Sequence, residues 1–379
     1  MIRDGIHTDH GSLFRRSLCG PDIPPSRPVG AGEMIDQTGS NSREDVLALL
    51  AGRRSQRIPC FSGLIHVTVP GLESIGLGLS AVHHDPAKMA AAAATTHRLF
   101  GFESAVVPLD MYVEAGVLGA RVDFGEEAML PVLPRLVEFL AGSSEELTPT
   151  LASSLRDQGR VPVVTEAIRI LRSDVGQQIV IGAWVPGPFT LATLLVEITN
   201  LLLELVTAPE SVGRLLDGLT DVLVEVASVY RAAGADFITV HEMGGSPGFI
   251  GPPAFTRLVL PRLQRLLAAL PPPRVLSVCG NTNRSMPLLA EAGADALSVD
   301  QTNDLAHSRE VLGREVLLFG NIDPVGTLTY DDETGVRHAV TSAVEAGVDA
   351  IWPGCDLWPR APAANLRALV DEALQHRRA

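Results

Sequence analysis

Residues 275–324 read VLSVCGNTNRSMPLLAEAGADALSVDQTNDLAHSREVLGREVLLFGNIDP and carry the pattern that decides the fold. Three short apolar runs rich in Val and Leu alternate in this stretch with two helical segments. This order predicts repeated strand–helix units, which build a parallel sheet. The three predicted strands lie near residues 275–279, 296–299 and 316–319.

The same alternation extends over the rest of the chain, where about eight apolar runs of this kind can be counted. Eight strands with intervening helices predict an α/β domain folded as a single closed (β/α)8 barrel, the TIM barrel. A doubly wound open sheet is the competing architecture, because alternation alone does not distinguish the two. The other five predicted strands lie near residues 59–63, 105–108, 179–184, 237–241 and 350–352.

Polar residues at the ends of the predicted strands favour the barrel. Nearly every strand is followed by a reactive or hydrogen-bonding side chain. In a barrel the carboxyl ends of all strands converge on one mouth, whereas an open sheet would spread them along an edge. The residues concerned are Asp110, His241, Glu242, Cys279, Asp300, Asn321, Asp323, Cys355 and Asp356.

A short glycine motif precedes three of the predicted strands. It reads AAGAD from Ala232, EAGAD from Glu291 and EAGVD from Glu345. A glycine just after a helix commonly adopts the left-handed conformation that ends it. We therefore expect a helix to end at each of the three motifs.

Composition narrows the class of protein. The 379 residues are 46% apolar and 20% charged, which is enough to bury a large core. A net charge of −14 without a Lys/Arg cluster opposes binding to nucleic acid. The longest apolar run, around 191–206, is broken by Glu197, Asn200 and Glu204, so we expect a buried amphipathic helix and no membrane span.

Four scattered cysteines in a chain this long indicate a fold without disulfides, so a reducing cytoplasm is the expected compartment. Residues 1–40 are rich in Pro, Gly and Ser and lack the apolar segment of a signal peptide, which predicts a disordered leader. The catalytic domain is expected over 41–379, beginning with a helix at Ser42 whose first turn is acidic.

Cys279 and Cys355 are candidate zinc ligands, because both follow predicted strands in polar segments. On spacing alone, a pair of small buried residues is the more common explanation. His241 and Glu242 end a strand and precede a glycine-rich turn, which favours a ligand or acid–base role for the histidine. The other histidines, including His83 and His84, are expected on the solvated surface.

The segments 278–300, 317–328 and 353–370, together with VEAGVLGARVDFGEE at 113–127, resemble the uroporphyrinogen decarboxylase superfamily from about Ser42 onward. The resemblance implies the barrel but does not choose the activity. True decarboxylases of this family carry an arginine-rich segment that binds the substrate carboxylates, and the equivalent residues 60–71, CFSGLIHVTVPG, contain no arginine. An acidic mouth would also oppose such a substrate.

The other branch of the superfamily consists of corrinoid-linked methyltransferases, whose zinc is held by an HxC motif and a distant cysteine. Cys279 and Cys355 match that pattern, whereas Ser277 stands at the histidine position. Serine is a poor zinc ligand, so either His241 or Glu242 on the neighbouring strand completes the site, or zinc binds weakly or not at all. We favour completion by His241. The resemblance implies methyl transfer between a corrinoid on a partner protein and a zinc-activated thiol.

The remaining site residues are assigned on the same interpretation. Catalytic roles are expected for Glu242, Asp300 and Asn321. Contacts with the substrate are expected for Asp110, Gly244, Gly245 and Trp352.

Two alternatives stay open beside this prediction. A metal-free decarboxylase or lyase would use His241 as its acid–base group. An accessory protein that binds a corrinoid or a metal without turnover would have lost activity through the missing histidine. The sequence names neither the methyl donor nor the acceptor, and it leaves a homodimer open.

Overall fold

The computed structural model describes residues 42–54, 56–125, 133–149 and 154–378. The predicted leader, residues 1–40, lies outside the described residues. Its disorder therefore remains a prediction.

Six strands form one parallel sheet in the order β1, β4, β5, β6, β7, β8. The short strands β2 and β3 pair antiparallel outside it. The strands of the described residues are β1 (Ser104–Val107), β2 (Val122–Asp123), β3 (Arg135–Leu136), β4 (Val180–Pro186), β5 (Phe237–Glu242), β6 (Arg274–Val278), β7 (Ala296–Val299) and β8 (Leu317–Phe319).

Two further extended segments close this sheet into a barrel. Cys60 is bridged in parallel to Ile351, and Phe319 of β8 is bridged in parallel to Ala350. On the other side, the Glu103 amide donates to the Cys60 carbonyl at 3.0 Å. The segments around Cys60 and Ile351 are therefore the first and eighth barrel strands. The predicted (β/α)8 barrel is confirmed, and the open sheet is excluded.

Helices surround the barrel. Their bounds are α1 (Ser42–Leu50), α2 (Val69–Ser74), α3 (Pro86–Ala93), α4 (Thr95–Phe100), α5 (Val113–Val117), α6 (Val161–Asp174), α7 (Pro188–Leu195), α8 (Ile198–Thr207), α9 (Pro209–Ala233), α10 (Pro247–Ile250), α11 (Pro252–Ala254), α12 (Leu260–Ala269), α13 (Met286–Ala290), α14 (Leu305–Leu312), α15 (Glu333–Glu345) and α16 (Ala363–Gln375). Short 3-10 turns and two π turns lie between them, at Leu79–Val82, Ser144–Glu146, Leu155–Asp157, Asn283–Ser285, Phe255–Val259 and Gly326–Tyr330.

The glycine motifs end helices as predicted. Gly234 has φ +115° and its amide donates to the carbonyls of the last turn of α9. Gly293 and Gly347 also have positive φ, 82° and 91°. Any other residue would be strained at these positive φ angles. Glycine therefore ends each helix and lets the chain turn towards the following strand.

The inside of the barrel is a separate apolar cluster. Its members occupy alternate positions of the strands, as expected when one face of a strand points inward. Helix α1 contributes Val46, Leu49 and Leu50, which cover the amino-terminal end of the barrel. The strand residues of this cluster are Phe61, Val180, Phe237, Val275, Ala296, Leu317, Phe319, Ala350 and Trp352.

The apolar run at 191–206 forms two helices, and the prediction of one buried helix was wrong. Helix α7 ends before Val196, which forms a parallel bridge with Ala141. The Glu197 carboxylate then accepts the Asn200 amide at 2.9 Å and starts α8. In the part of the chain that the structure describes, no helix combines the length and apolar character needed to cross a bilayer.

Candidate metal centre

His241, Cys279 and Cys355 meet at the carboxyl ends of the barrel strands. The two sulfur atoms lie 3.3 Å apart, and His241 Nε2 lies 3.8 Å from each of them. Among the described residues, these three form the group of His, Cys and acidic side chains able to hold a metal ion.

Alternation along the strands brings the donors together. Phe237 points into the barrel from β5, so His241, four residues later, points inward as well. Val275 points inward from β6, and Cys279 follows that strand with the same period. Cys355 comes from the loop after the eighth barrel strand. Both cysteines are partly exposed, whereas His241 is fully buried.

His241 stands directly beside Ser277. The two residues are partners in the parallel ladder between β5 and β6. Paired positions of a parallel ladder point to the same face of the sheet. The histidine is therefore supplied from the strand adjacent to the one that bears Cys279.

Each of the three side chains shifts the pKa of the others. The pKa of Cys355 lies well below its ordinary value, because its sulfur accepts a hydrogen bond from the Cys279 thiol and lies beside His241. The pKa of Cys279 is raised by the same hydrogen bond and by burial. Burial lowers the pKa of His241, but its contact with Cys355 outweighs burial and raises it. Both shifts act in the same direction, towards a thiolate at Cys355 and a protonated imidazole at His241.

The donor set fits zinc. Two sulfurs and one imidazole nitrogen are ligands that zinc prefers. Tetrahedral bonds of about 2.3 Å to sulfur and about 2.05 Å to nitrogen place sulfurs about 3.8 Å apart and sulfur and nitrogen about 3.6 Å apart. The observed separations of 3.3 and 3.8 Å differ from these by half an ångström or less. Three protein donors leave one position for a substrate, as in catalytic zinc sites.

Asp300 and Asn321 support the loop that bears Cys279. The Asp300 carboxylate accepts hydrogen bonds from the Gly280 amide and from the Thr302 amide and hydroxyl. The Asn321 amide donates to the carbonyls of Asp300 and Asn303, at 2.9 Å each. These contacts position the strand ends around Cys279. Direct contact of Asp300 or Asn321 with a reacting atom remains a prediction.

Glu242 does not face the mouth, where its strand end had placed it, and its catalytic role remains a prediction. The residue is fully buried, and its carboxylate accepts the amides of Phe189, Thr190 and Gly245. The Thr190 hydroxyl donates to it at 2.6 Å. A carboxylate at the amino terminus of α7 satisfies free amides and the helix dipole.

The glycines after β5 make room for packing, and their contact with the substrate remains a prediction. A Cβ at Gly245 would lie 2.6 Å from the Cβ of Phe189. At Gly244 it would lie 2.9 Å from Thr193. Both positions are filled by α7.

Asp110 belongs to a buried ion pair, and its contact with a substrate remains a prediction. Arg160 binds both its carboxylate oxygens at 2.6 Å, and His83 Nδ1 lies 2.9 Å away. These contacts hold the pKa of Asp110 well below its ordinary value, against the effect of burial. His83 is fully buried, so its predicted place on the surface was wrong, whereas His84 is exposed. Because Arg160 neutralises Asp110, the mouth is less acidic than the sequence indicated.

Trp352 packs inside the barrel, and its contact with a substrate remains a prediction. It is fully buried, stacks on Phe319 at 5.0 Å and meets Phe61 edge to face. Trp184, which the sequence reasoning missed, lies with its ring centroid 6.1 Å from that of His241. The sequence did offer a signal for it, because Trp184 occupies an inward-facing position of β4.

Comparison with known proteins agrees with this geometry. Methylcobamide:CoM methyltransferase MtaA of Methanosarcina barkeri is 28% identical over 86% of this chain and 95% of its own length. Methylcobamide:CoM methyltransferase MtbA of Methanosarcina mazei is 30% identical over 82% of this chain and 91% of its own length. A solved methyltransferase from Methanosarcina mazei matches with a TM-score of 0.82 and 27% identity, over 88% of this chain and 98% of that one.

The family comparison covers almost the whole described barrel. The model of the uroporphyrinogen decarboxylase (URO-D) family matches residues 41–376. This range begins one residue before α1 and ends one residue after α16. The chain is therefore a member of the uroporphyrinogen decarboxylase (URO-D) family.

Proposed function

We propose that this protein is a corrinoid-dependent methyltransferase that moves a methyl group between a corrinoid and a thiol, at a zinc ion held by His241, Cys279 and Cys355. The observation that carries the proposal is the triangle of one nitrogen and two sulfurs at the barrel mouth. The relatives named methylcobamide:CoM methyltransferases support the methyl carrier and the thiol acceptor.

Zinc, when bound, lowers the pKa of a coordinated thiol so that it reacts as a thiolate near neutral pH. The chain supplies three donors and leaves the mouth side open, because Cys279 and Cys355 are only partly buried. The lowered pKa of Cys355 favours its thiolate form, which is the form that binds zinc. His241 is held below the two sulfurs by its place on β5.

The transfer itself requires that an acceptor thiolate forms a sulfur–carbon bond as the methyl–cobalt bond breaks. The electron pair of the broken bond stays with the corrinoid. A methyl corrinoid carried on a partner protein must therefore reach the barrel mouth, where the triad lies. Asp300 acts as a positioning residue, since its carboxylate accepts the Gly280 amide beside Cys279, and Asn321 supports Asp300 by donating to its carbonyl.

Decarboxylation of a polycarboxylate is disfavoured by the residues beside the triad. The segment 60–71 lies next to the site, because the Ile65 amide donates to Asp356, the neighbour of Cys355, at 2.9 Å. This segment contains no arginine. Arg160, on the mouth side of the barrel, is already paired with Asp110.

The compartment follows from the same site. Cys279 and Cys355 must stay reduced to bind zinc, and sulfur atoms 3.3 Å apart are close enough to oxidise together. A reducing cytoplasm is therefore the compartment that this proposal requires.

The test is demethylation of free methylcobalamin, followed by its visible absorbance, with CoM as the acceptor. Zinc-loaded protein should accelerate it, while Cys355→Ala should remove the acceleration. Cys60→Ala serves as the matched control, because Cys60 is buried in the first barrel strand away from the triad. Acceleration that survives both Cys355→Ala and a zinc chelator would refute the proposal and favour metal-free chemistry.

A further inference from the structure

Four buried polar atoms inside the barrel have no hydrogen-bond partner among the described residues. They are His241 Nδ1, Thr239 Oγ1, Ser298 Oγ and Trp352 Nε1. Each belongs to a side chain that is completely buried. A buried polar group without a partner costs roughly 1–3 kcal/mol, so four within one barrel call for a common explanation.

Sheet register places three of these groups together. Thr239 precedes His241 by two residues on β5, so both point into the barrel. Ser277 of β6 is the ladder partner of His241 on one side and of Ser298 of β7 on the other. Thr239 therefore lies one inward position below His241 on the same strand, and Ser298 lies in the same ladder row as His241, two strands away. We call Thr239, His241, Ser298 and Trp352 the inner polar layer.

Trp352 joins this layer from across the barrel. A Cβ at Gly63 would meet Thr239 Oγ1 at 2.2 Å and the Trp352 ring at 2.5 Å, so both side chains reach the same point. Barrel interiors are usually filled by bulky Val, Ile and Leu. Thr239 and Ser298 place small polar side chains at positions that such residues usually fill.

The chemistry of His241 determines what the layer must contain. Nε2 faces Cys279 and Cys355, so it must present its lone pair to a metal. In that tautomer Nδ1 carries the proton and needs an acceptor. Ligating histidines normally find one in a carboxylate, a carbonyl or a water. No described protein group accepts from Nδ1.

We propose that the inner polar layer binds ordered water, and that this water accepts the His241 Nδ1 proton and fixes the imidazole for metal binding. The presence of this water does not depend on the proposed function. Only its role in preparing His241 for zinc rests on that function. Buried waters typically make about three hydrogen bonds to otherwise unpaired groups, and Thr239 and Ser298 offer two of them. Both hydroxyls then act as positioning residues for His241.

Thr239→Val tests this, because valine keeps the shape of threonine and removes the hydroxyl. With water in the layer, the variant loses a hydrogen bond, its melting temperature falls, and its zinc affinity falls about 10–100-fold, as for other outer contacts of a metal site. In a dry layer, the variant removes an unpaired hydroxyl, so its melting temperature rises and its zinc affinity is unchanged. That second result would overturn the proposal.

The matched control is Thr220→Val on α9. Thr220 is equally buried, but its hydroxyl donates to the Leu216 carbonyl at 2.6 Å, remote from the layer. This variant should lower the melting temperature without changing zinc affinity. If Thr239→Val does not fold, Ser298→Ala provides the same comparison.

A high-resolution crystal structure gives the direct readout. A water peak about 2.7–3.2 Å from His241 Nδ1, also bonded to the Thr239 or Ser298 hydroxyl, is the expected result. An imidazole whose Nδ1 meets only carbon atoms, or a protein carbonyl, would overturn the inference. Neither result depends on zinc. Water beneath His241 in a protein that takes up no zinc would refute the proposed function alone.

Discussion

His241 and Ser277 are direct partners in the ladder between β5 and β6, and only the first can bind a metal through nitrogen. The histidine expected two residues before Cys279 is thus replaced by one on the adjacent strand. Both positions point into the barrel, at the same level beneath the sulfurs of Cys279 and Cys355. The imidazole of His241 thus approaches the two sulfur atoms from β5, whereas a histidine at position 277 would approach them from β6.

Moving the histidine back should restore the site. His241→Ser alone should lower zinc affinity by at least about 100-fold, beyond the loss of an outer contact. Combining it with Ser277→His should recover most of that affinity, because the removed imidazole frees the space that the new one needs. Competition with a chromophoric chelator measures the zinc affinity of the single and of the double variant. If the double variant binds zinc no better than His241→Ser, the two positions are not equivalent.

Removing either cysteine should release the metal and keep the fold. Cys279 and Cys355 are partly exposed at the mouth, so their truncation to alanine removes little buried volume. Zinc per chain should fall sharply in both variants, while the melting temperature of the metal-free protein changes little. Cys60→Ala should keep the zinc content unchanged and lower the melting temperature, since Cys60 is buried in the core. Lower melting temperatures with unchanged zinc in Cys279→Ala and Cys355→Ala would show that both cysteines only pack.

Arg160 should matter for stability through Asp110. Breaking a buried ion pair leaves one charge uncompensated and typically costs about 3–5 kcal/mol. Arg160→Met should lower the free energy of unfolding by about this amount, and adding Asp110→Asn should recover part of it. Since the pKa of Asp110 is lowered, the contribution of the pair is present above about pH 3.8 and is lost as the pH falls further.

Denaturant titration measures these effects, and Arg121→Met is the control. Arg121 pairs with Glu138 at the exposed surface, so its loss should cost less than about 1 kcal/mol. Equal costs for Arg160→Met and Arg121→Met would contradict the structural role of the buried pair.

Glu114 should make stability depend on pH. Burial raises the pKa of this carboxyl on α5 to about 8, from an ordinary value of 4.5. Between these values the folded chain keeps a proton that the unfolded chain releases. The free energy of unfolding should therefore fall as the pH rises from about 4.5 to about 8, by up to about 1.4 kcal/mol per pH unit.

Glu114→Gln should flatten this dependence, because the amide stays neutral throughout. Unfolding by urea at several pH values between 5 and 9 measures the slope. Glu145→Gln, at an exposed position, should leave the slope as in the wild type. A slope unchanged by Glu114→Gln would mean that another group binds the proton.

Alternation and strand ends were sufficient to predict the barrel, whereas the metal triad also needed the family resemblance and remains a prediction. His241, Cys279 and Cys355 each occupy or follow a strand end, which is a local feature of the sequence. The same reasoning could have placed Trp352 inside the barrel, because it lies two residues after Ala350 and therefore points inward as well. Its nearness to Cys355 in the sequence was misleading.

Contacts between distant residues were beyond such reasoning. Arg160 is 50 residues from Asp110, and no local pattern pairs them. Glu242 looks like a catalytic carboxylate in sequence, yet it caps a helix that starts 54 residues earlier, at Pro188. A carboxylate at a strand end suits either role, and only the position of α7 decides between them.

X-ray absorption at the zinc edge tests the central claim most directly. The zinc-loaded protein should show two sulfur ligands at about 2.3 Å and nitrogen or oxygen ligands at about 2.0–2.1 Å. Adding CoM should raise the number of sulfur ligands to three, and His241→Ser should remove the imidazole signal. A spectrum with no sulfur ligands, or one that CoM leaves unchanged, would contradict a thiol-activating zinc site at His241, Cys279 and Cys355.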